Sequence, residues 1–404
     1  MVIDDTMLDA FVQASDERGG PHSPACVAYW HGKTYQPSTL VDETLDPFGP
    51  EYMTAQLALY QELSGRSLDQ VANEQTSFDL PHHIAAANPY GRHDPADIAT
   101  HIQRLSHAIK AARPRFGAQM LDMGCGWGLS SEFAAYLGLD VTGVDINPEF
   151  VSLVNQRAAL RRFQVRAVNA TFDDYVPDRA FDLILFYECL HHAVRPWVVI
   201  DRLARSLAPG GAIVLAGEPI NEAWRHWGIR LDLLSVYCIR KFGWFESGWS
   251  IDFIKGVFAR ADMAVEATGD AAVGYTLVAR MLSPQQAALA RIAQGCNVMG
   301  WFIELDYLVL QEAGSLSIRF PDGARAATLD IRNFRGSPVA LRITHAGQAL
   351  FDGMVAPGGT AIVIPRTAAV MQCDLRGEVW SPNAELGSSD HRGISVHLAG
   401  IGFA

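Results

Sequence analysis

The stretch Leu121-Asp122-Met123-Gly124-Cys125-Gly126-Trp127-Gly128-Leu129-Ser130-Ser131 constrains this chain more than any other. Met120 to Met123 reads as the end of a buried strand, three glycines follow at alternate positions, and an apolar helical pattern opens at Leu129. A strand that turns into a helix through such glycines lets the backbone come close to a ligand. The helix N-terminus then offers unpaired N–H groups to a negative group. Val141-Thr142-Gly143-Val144-Asp145 reads as a second strand ending in an acid. It lies about 20 residues on, where nucleotide-binding βαβ units carry a carboxylate for ribose hydroxyls.

Strand and helix patterns alternate around this stretch. Helical spacing runs over 51–64, 67–74, 95–112, 130–137, 148–160, 198–207 and 250–261, with Asn147 placed to cap one helix. Strand patterns run over 140–144, 163–168, 181–186, 212–216, 264–267 and 275–281. The run Phe181 to Phe186 is apolar almost throughout, as a central parallel strand should be. This alternation implies an α/β fold with a doubly wound sheet, whose ligands sit beyond the carboxyl ends of the strands. Gly124–Gly128, Asp145, Asn169, Glu188–His192 and Glu218 all follow strand ends and converge on one crevice.

The Gly-x-Gly-x-Gly spacing departs from the Gly-x-Gly-x-x-Gly of dinucleotide sites. It resembles the first motif of class I S-adenosylmethionine-dependent methyltransferases, and Asp145 resembles their second. The turn Leu207-Ala208-Pro209-Gly210-Gly211 is a further likeness, and the resemblance spans roughly residues 95 to 285. It implies a Rossmann-like sheet of seven strands, the last antiparallel, and S-adenosylmethionine as cofactor. Asp122, Gly124, Cys125, Gly126 and Gly128 would hold the methionine part, Asp145 the ribose, and Ile146 would flank the adenine. Asn169-Ala170 stands where family members usually carry an acid for the adenine amino group, and an amide can still bond it. Residues 1–94 resemble the helical cap of small-molecule methyltransferases. In that cap Tyr90 either lies against the cofactor or packs on the next helix.

Methyl transfer needs alignment of donor and acceptor, and a base when the acceptor is a hydroxyl. His191 and His192 follow the fourth strand and titrate near neutrality, with His192 the favoured base and Glu188 an alternative. The segment 218–249 is an aromatic, glycine-punctuated insertion at the position that builds the acceptor pocket. Its candidate substrate residues are Glu218, His226, Tyr237, Trp244 and Trp249. Adjacent histidines chelate poorly and no His-x-x-x-His pair is present, so no metal is expected.

From Leu316 onward, short alternating runs separated by turns suggest a C-terminal β-sandwich over 286–404, after a short helix at 285–294. Glu378-Val379-Trp380-Ser381-Pro382 and Asp390–Val396 resemble tails of bacterial surface-polysaccharide biosynthesis proteins. That likeness implies a sugar hydroxyl in a glycan such as an O-antigen, or in its precursor, as acceptor. Trp380 would then be an exposed platform for sugar rings, unless the tail is a packing or dimerisation module. The alternatives are a natural-product methyltransferase and a non-catalytic S-adenosylmethionine-binding module. The sequence leaves a homo-oligomer open.

The net charge of −12 argues against a nucleic-acid partner. Arg157, Arg161, Arg162 and Arg166 have the spacing of a solvated helix face. The six cysteines form no Cys-x-x-Cys pair, the N-terminus lacks an apolar leader, and no apolar run reaches membrane-spanning length. A cytoplasmic protein is expected.

Overall fold

The structure is a computed structural model describing residues 1–91, 94–270, 272–282, 300–303 and 307–404. The chain divides into two units, Met1–Phe253 with Ala267–Val278, and Ile254–Glu266 with Ala279–Ala404. The helix expected at 285–294 lies outside the described residues.

The first unit carries most of a mixed seven-stranded sheet. Its strands are β1 (Gln119–Met123), β2 (Asp140–Asp145), β3 (Val165–Asn169), β4 (Phe181–Tyr187), β5 (Leu207–Ala216), β6 (Met263–Asp270) and β7 (Gly274–Met281). The spatial order is β6-β7-β5-β4-β1-β2-β3. β1 pairs in parallel with β2 (Leu121 opposite Thr142) and with β4 (Leu121 opposite Ile184). The chain thus winds from β1 outward to β3, then crosses to the other side of β1. That reversal leaves a crevice at the carboxyl ends of β1 and β4. β4 is buried at every residue except Asp182, as its apolar run requires.

Six helices matter for the site. They are α1 (Pro50–Ser64), α2 (Pro95–Ala112), α3 (Leu129–Tyr136), α4 (Pro148–Arg161), α5 (Pro196–Ala204) and α6 (Leu233–Phe242). Asn147 caps α4 as expected, its side-chain oxygen accepting from Glu149 N at 2.9 Å. The helix expected over 67–74 shrinks to Gln70–Asn73, capped by Asp69. The 198–207 helix starts earlier, at Pro196, because proline suits the first helical position. The insertion holds more order than its composition suggested. Trp227–Ile229 pairs antiparallel with Ser247–Trp249, and α6 lies between them.

Residues 1–91 belong to this unit. α1 packs on the insertion: Tyr60 Oη donates to Gly243 O at 2.7 Å, and Gln56 Oε1 accepts from Ile229 N at 2.9 Å. One expectation is corrected here. Arg157 does not lie on a solvated face but is fully buried. Its guanidinium pairs with both oxygens of Glu132 and donates to the carbonyls of His83 (2.6 Å) and Ala86 (2.9 Å). A buried guanidinium is tolerable only when its donors are satisfied in this way.

The second unit holds two antiparallel sheets. One contains Trp301–Ile303, Leu308–Leu310, His397–Phe403, Ala326–Asn333 and Gly358–Pro365, in that spatial order. The other contains Ala313–Arg319, Val370–Gly377, Val339–His345 and Gln348–Val355. Val370–Gly377 alternates exposed and buried residues along its length, and its inner residues Met371, Cys373 and Leu375 join one apolar core. The last strand is displaced from the expected 394–398, since Ile394 makes an isolated bridge to Trp380. Trp380 itself is buried in that core, with its indole N–H donated to Ser395 O at 2.9 Å. It is a packing residue and not the exposed platform expected from the sequence.

Candidate active site

The glycine loop between β1 and α3 takes positive φ at Gly124, Gly126 and Gly128 (66°, 48° and 85°). The outer two are closed in by side chains. A Cβ on Gly124 would stand 2.8 Å from Cys189, and one on Gly128 would stand 2.6 Å from Val154. The middle glycine differs: a Cβ on Gly126 would meet nothing nearer than 4.0 Å. Gly126 therefore faces open space, a cavity of about 900 Å³ walled by the ends of β1, β2, β3 and β4.

Asp145, at the end of β2, is tied to this loop. Its Oδ2 accepts from Gly126 N at 2.8 Å, and its Oδ1 accepts from Asn147 N at 2.9 Å. Burial raises its carboxyl to about 6 against those two bonds. Asp145, Ile146, Ala170, Gly124 and Gly126 all line the cavity. Asp122 does not. It lies fully buried, its Oδ2 accepting from the hydroxyls of Ser130 (2.7 Å) and Ser131 (2.6 Å), so it braces the start of α3. The Cys125 side chain packs inward against Val154 and Ala167. Asn169 Nδ2 donates to the carbonyls of Asp145 (3.0 Å) and Ile146 (2.8 Å), which fixes the β2 turn from outside the cavity wall. Tyr90 packs on His101 of α2, its ring centroid 5.1 Å away, and is not a lining residue.

β4 is followed by Glu188, held at φ 52°, and then by the turn Leu190–His192. Glu188 lines the cavity, and its Oε1 accepts from Arg104 at 2.7 Å. His191 and His192 diverge. His191 points into the protein, with Nδ1 2.9 Å from Glu218 Oε2 and Nε2 3.6 Å from Glu246. Burial disfavours its charge, but these carboxylates outweigh burial and hold it above its ordinary value. His192 lines the cavity. Its Nδ1 lies 3.0 Å from the carbonyl of Phe245, an atom that only accepts, so the ring keeps its proton there and its unshared pair on Nε2. Burial and then the neighbouring His191 lower His192 to about 4, so the ring is neutral at physiological pH.

Four of the five candidate substrate residues stand elsewhere. Glu218 accepts from the backbone N–H groups of Cys189, Leu190 and His191, so it caps the Leu190–His192 turn instead of meeting an acceptor. His226 faces Glu43 O at 3.1 Å, and Tyr237 bonds Asp16 and Lys241 beside the N-terminal segment. Trp249 is fully buried in its two-stranded ladder. Polar and aromatic character marked all four in the sequence, but satisfied partners and core packing absorb them. Trp244 alone reaches the cavity wall, stacked on Phe242 at 4.8 Å. Among the described residues, His191, His192 and Glu246 offer ligand atoms within 4.8 Å of one another, a grouping hidden by the distance in sequence.

Residues 121–215 match the family described as "Methyltransferase domain". This stretch is a methyltransferase domain. A ubiquinone biosynthesis O-methyltransferase of Xanthomonas oryzae pv. oryzae is 36% identical over 124 residues, 28% of this chain and 52% of that protein. One of the same name from Actinobacillus pleuropneumoniae is 29% identical over 148 residues, 35% of this chain and 63% of that protein. The chain thus spans about half the length of the first curated relatives it matches. Among solved structures, an N-methyltransferase of Bradyrhizobium japonicum is 20% identical with a TM-score of 0.35, covering 54% of this chain and 100% of that one.

S-adenosylmethionine fits the cavity of this methyltransferase domain on the chemistry of its walls. Gly126 leaves room at the loop, Asp145 retains acceptor capacity, and Ile146, Phe150 and Phe172 supply apolar faces. Asp69, Glu74, Asp145, Asp173, Asp174 and Glu188 line it, with no lysine or arginine among the described lining residues. Such a wall suits a ligand with cationic sulfonium and ammonium groups. Several of these residues were missed in the sequence. Glu74, Phe150 and Phe172 belong to no motif, and only their convergence in space marks them.

Proposed function

We propose that this chain is an S-adenosylmethionine-dependent methyltransferase acting on a hydroxyl oxygen, with His192 as general base. The observation that carries the reading is the neutral His192 ring on the cavity wall, its Nδ1 fixed by Phe245 O. S-adenosylmethionine supplies a methyl group on a sulfonium that becomes a neutral thioether once the methyl is displaced. The domain's residues do the rest. Asp145 and the open face at Gly126 hold and orient the ligand in the crevice. His192 Nε2 takes the hydroxyl proton as the new oxygen–carbon bond forms, and Trp244 shields that side from water.

The tail resemblance points to a sugar hydroxyl of a glycan or its precursor. The curated relatives are named for ubiquinone biosynthesis instead, and the aromatic walls Trp127, Phe150, Phe172 and Trp244 favour a flat, phenolic acceptor as the second reading. Both are O-methylations and share the base. The test is release of S-adenosylhomocysteine from panels of sugars, glycan fragments and phenols, with wild type and His192→Ala, in the presence and absence of a chelator. Turnover on one panel that falls by ~10² or more in His192→Ala, with ligand affinity kept, supports the reading. Tight binding with no turnover on any acceptor makes the chain a binding module. Turnover stopped by the chelator and restored by magnesium assigns the histidines to a metal.

A further inference from the structure

We infer that Glu74 is a positioning residue for this reaction, a carboxylate brought by the N-terminal segment to orient the His192 ring and balance its charge once it takes a proton. The inference rests on the assignment of His192 as the base.

Glu74 lines the cavity, and its Oε1 is buried without a hydrogen-bond partner among the described residues. That atom stands 3.7 Å from His192 Nδ1. The arrangement is held from both ends of the short helix that precedes it. Gln70 Nε2 donates to the backbone carbonyl of His192 at 2.6 Å. Asn73 Nδ2 donates to the carbonyl of Gly243 at 3.0 Å and lies 3.2 Å from Tyr60 Oη. A Cβ on Gly243 would stand 2.8 Å from Asn73, so the two segments are in close contact. The carboxyl is therefore fixed against both the turn that carries His192 and the loop whose carbonyl at Phe245 holds the ring.

A buried polar atom with no partner is costly, and its retention at a cavity wall points to use. The need is specific. Burial makes His192 a weak base, so a protonated ring requires a nearby negative charge before it can hold the acceptor proton. Phe245 O offers only a dipole to Nδ1. Glu74, once ionised, places a carboxylate next to the same N–H. When the acceptor O–H breaks, its oxygen bonds the methyl carbon, the carbon–sulfur pair passes to sulfur, and the proton goes to Nε2. The charge created on the ring is then met by Glu74 at Nδ1. Burial, then Glu246 and Asp145, raise Glu74 to about 8, with His191 and a Phe245 backbone hydrogen bond opposing. Beyond Glu74, the groups that face His192 are His191, Glu218 and Glu246. The Glu74–His192 pair therefore titrates as a unit.

The experiment uses the full chain with 13C-labelled histidine, followed by NMR from pH 4 to 9. The His192 ring signal is identified by its loss in His192→Gln. The expected result is an inflection near pH 8 in the His192 signal as Glu74 ionises. It should vanish in Glu74→Gln and persist, shifted, in Glu74→Asp. A His192 curve identical in wild type and Glu74→Gln, with both variants folded by thermal melt, overturns the inference. On an acceptor that turns over, Glu74→Gln should lower kcat about tenfold or more and flatten its rise between pH 7 and 9, with KM for S-adenosylmethionine within twofold. Equal loss in kcat and in ligand affinity would make Glu74 a binding residue and also overturn it. Full turnover in His192→Gln would sink the base assignment instead, so the two failures are distinguishable.

Discussion

Glu218 and His191 form one buried unit at the end of β4. The carboxylate accepts from three successive backbone N–H groups and faces Nδ1 of the imidazole at 2.9 Å. The turn that presents His192 to the cavity is thus shaped by an acid from the following strand end. Glu218→Ala should leave these donors unpaired and cost about 3–5 kcal/mol. Glu218→Gln, which keeps an acceptor oxygen, should cost less. Urea denaturation midpoints check this, and an alanine variant as stable as wild type would remove Glu218 from its structural role.

The ligand site gives two graded outcomes. Asp145→Ala should weaken S-adenosylmethionine binding by tenfold or more, about 1.5–3 kcal/mol, by removing a carboxylate acceptor and loosening Gly126. Gly126→Val should abolish it, because a branched side chain would project into the cavity at a φ that L-residues rarely adopt. Calorimetry with S-adenosylmethionine and with S-adenosylhomocysteine measures both. Unchanged affinity in the two variants would move the site elsewhere.

Arg157 is a fully buried charge, and its cost is offset by Glu132 and the carbonyls of the 83–86 segment. Arg157→Ala should destabilise by about 3–5 kcal/mol, since Glu132, mostly buried, loses its two-point partner and keeps only the Arg161 guanidinium at 3.7 Å. The double change Arg157→Met with Glu132→Gln should recover part of that loss. A double-mutant cycle in urea decides the point, and additive effects would contradict the pairing.

The contribution of Glu74 to stability should fall as pH rises from about 4.5 to 8. Burial, then Glu246 and Asp145, raise Glu74 from 4.5 to about 8. Below pH 4.5 folded and unfolded chains both hold its proton, and it contributes nothing. Between those values only the unfolded chain releases the proton, which favours unfolding. Asp122 and Asp145 act alike between 3.8 and about 6. His191, raised above 6.5, adds stability that is complete below 6.5 and is lost as pH rises through its folded value. Glu74→Gln should therefore exceed wild type by ~2–4 kcal/mol at pH 8 and match it near pH 5. Urea titrations at the two pH values test this, and an equal difference at both would exclude Glu74 as the source.

Much of the domain is legible in the residues alone. The glycine loop, Asp145, the apolar run of β4 and the cap at Asn147 are local features, and each depends on residues within one turn or one strand. Strand period and turn chemistry likewise mark the alternating runs of the second unit. What fails are readings that assign a side chain to a partner. Glu218, His226, Tyr237 and Trp249 have the residue types of a binding pocket, yet each meets a partner or a core remote in sequence. Trp380 and Arg157 move from surface to interior for the same reason.

Sequence pattern is enough to set the fold of the methyltransferase domain and the place of its ligand, because hydrophobic period and glycine conformation act over a few residues. Which histidine faces the cavity, and that Glu74 joins it, follow only from the folded chain. The neighbours at 191 and 192 are chemically identical, and Glu218 and Phe245, the separate partners of the two rings, lie 27 and 53 residues away. Which partner a polar side chain meets depends on distances set by the whole fold, and no local pattern encodes them.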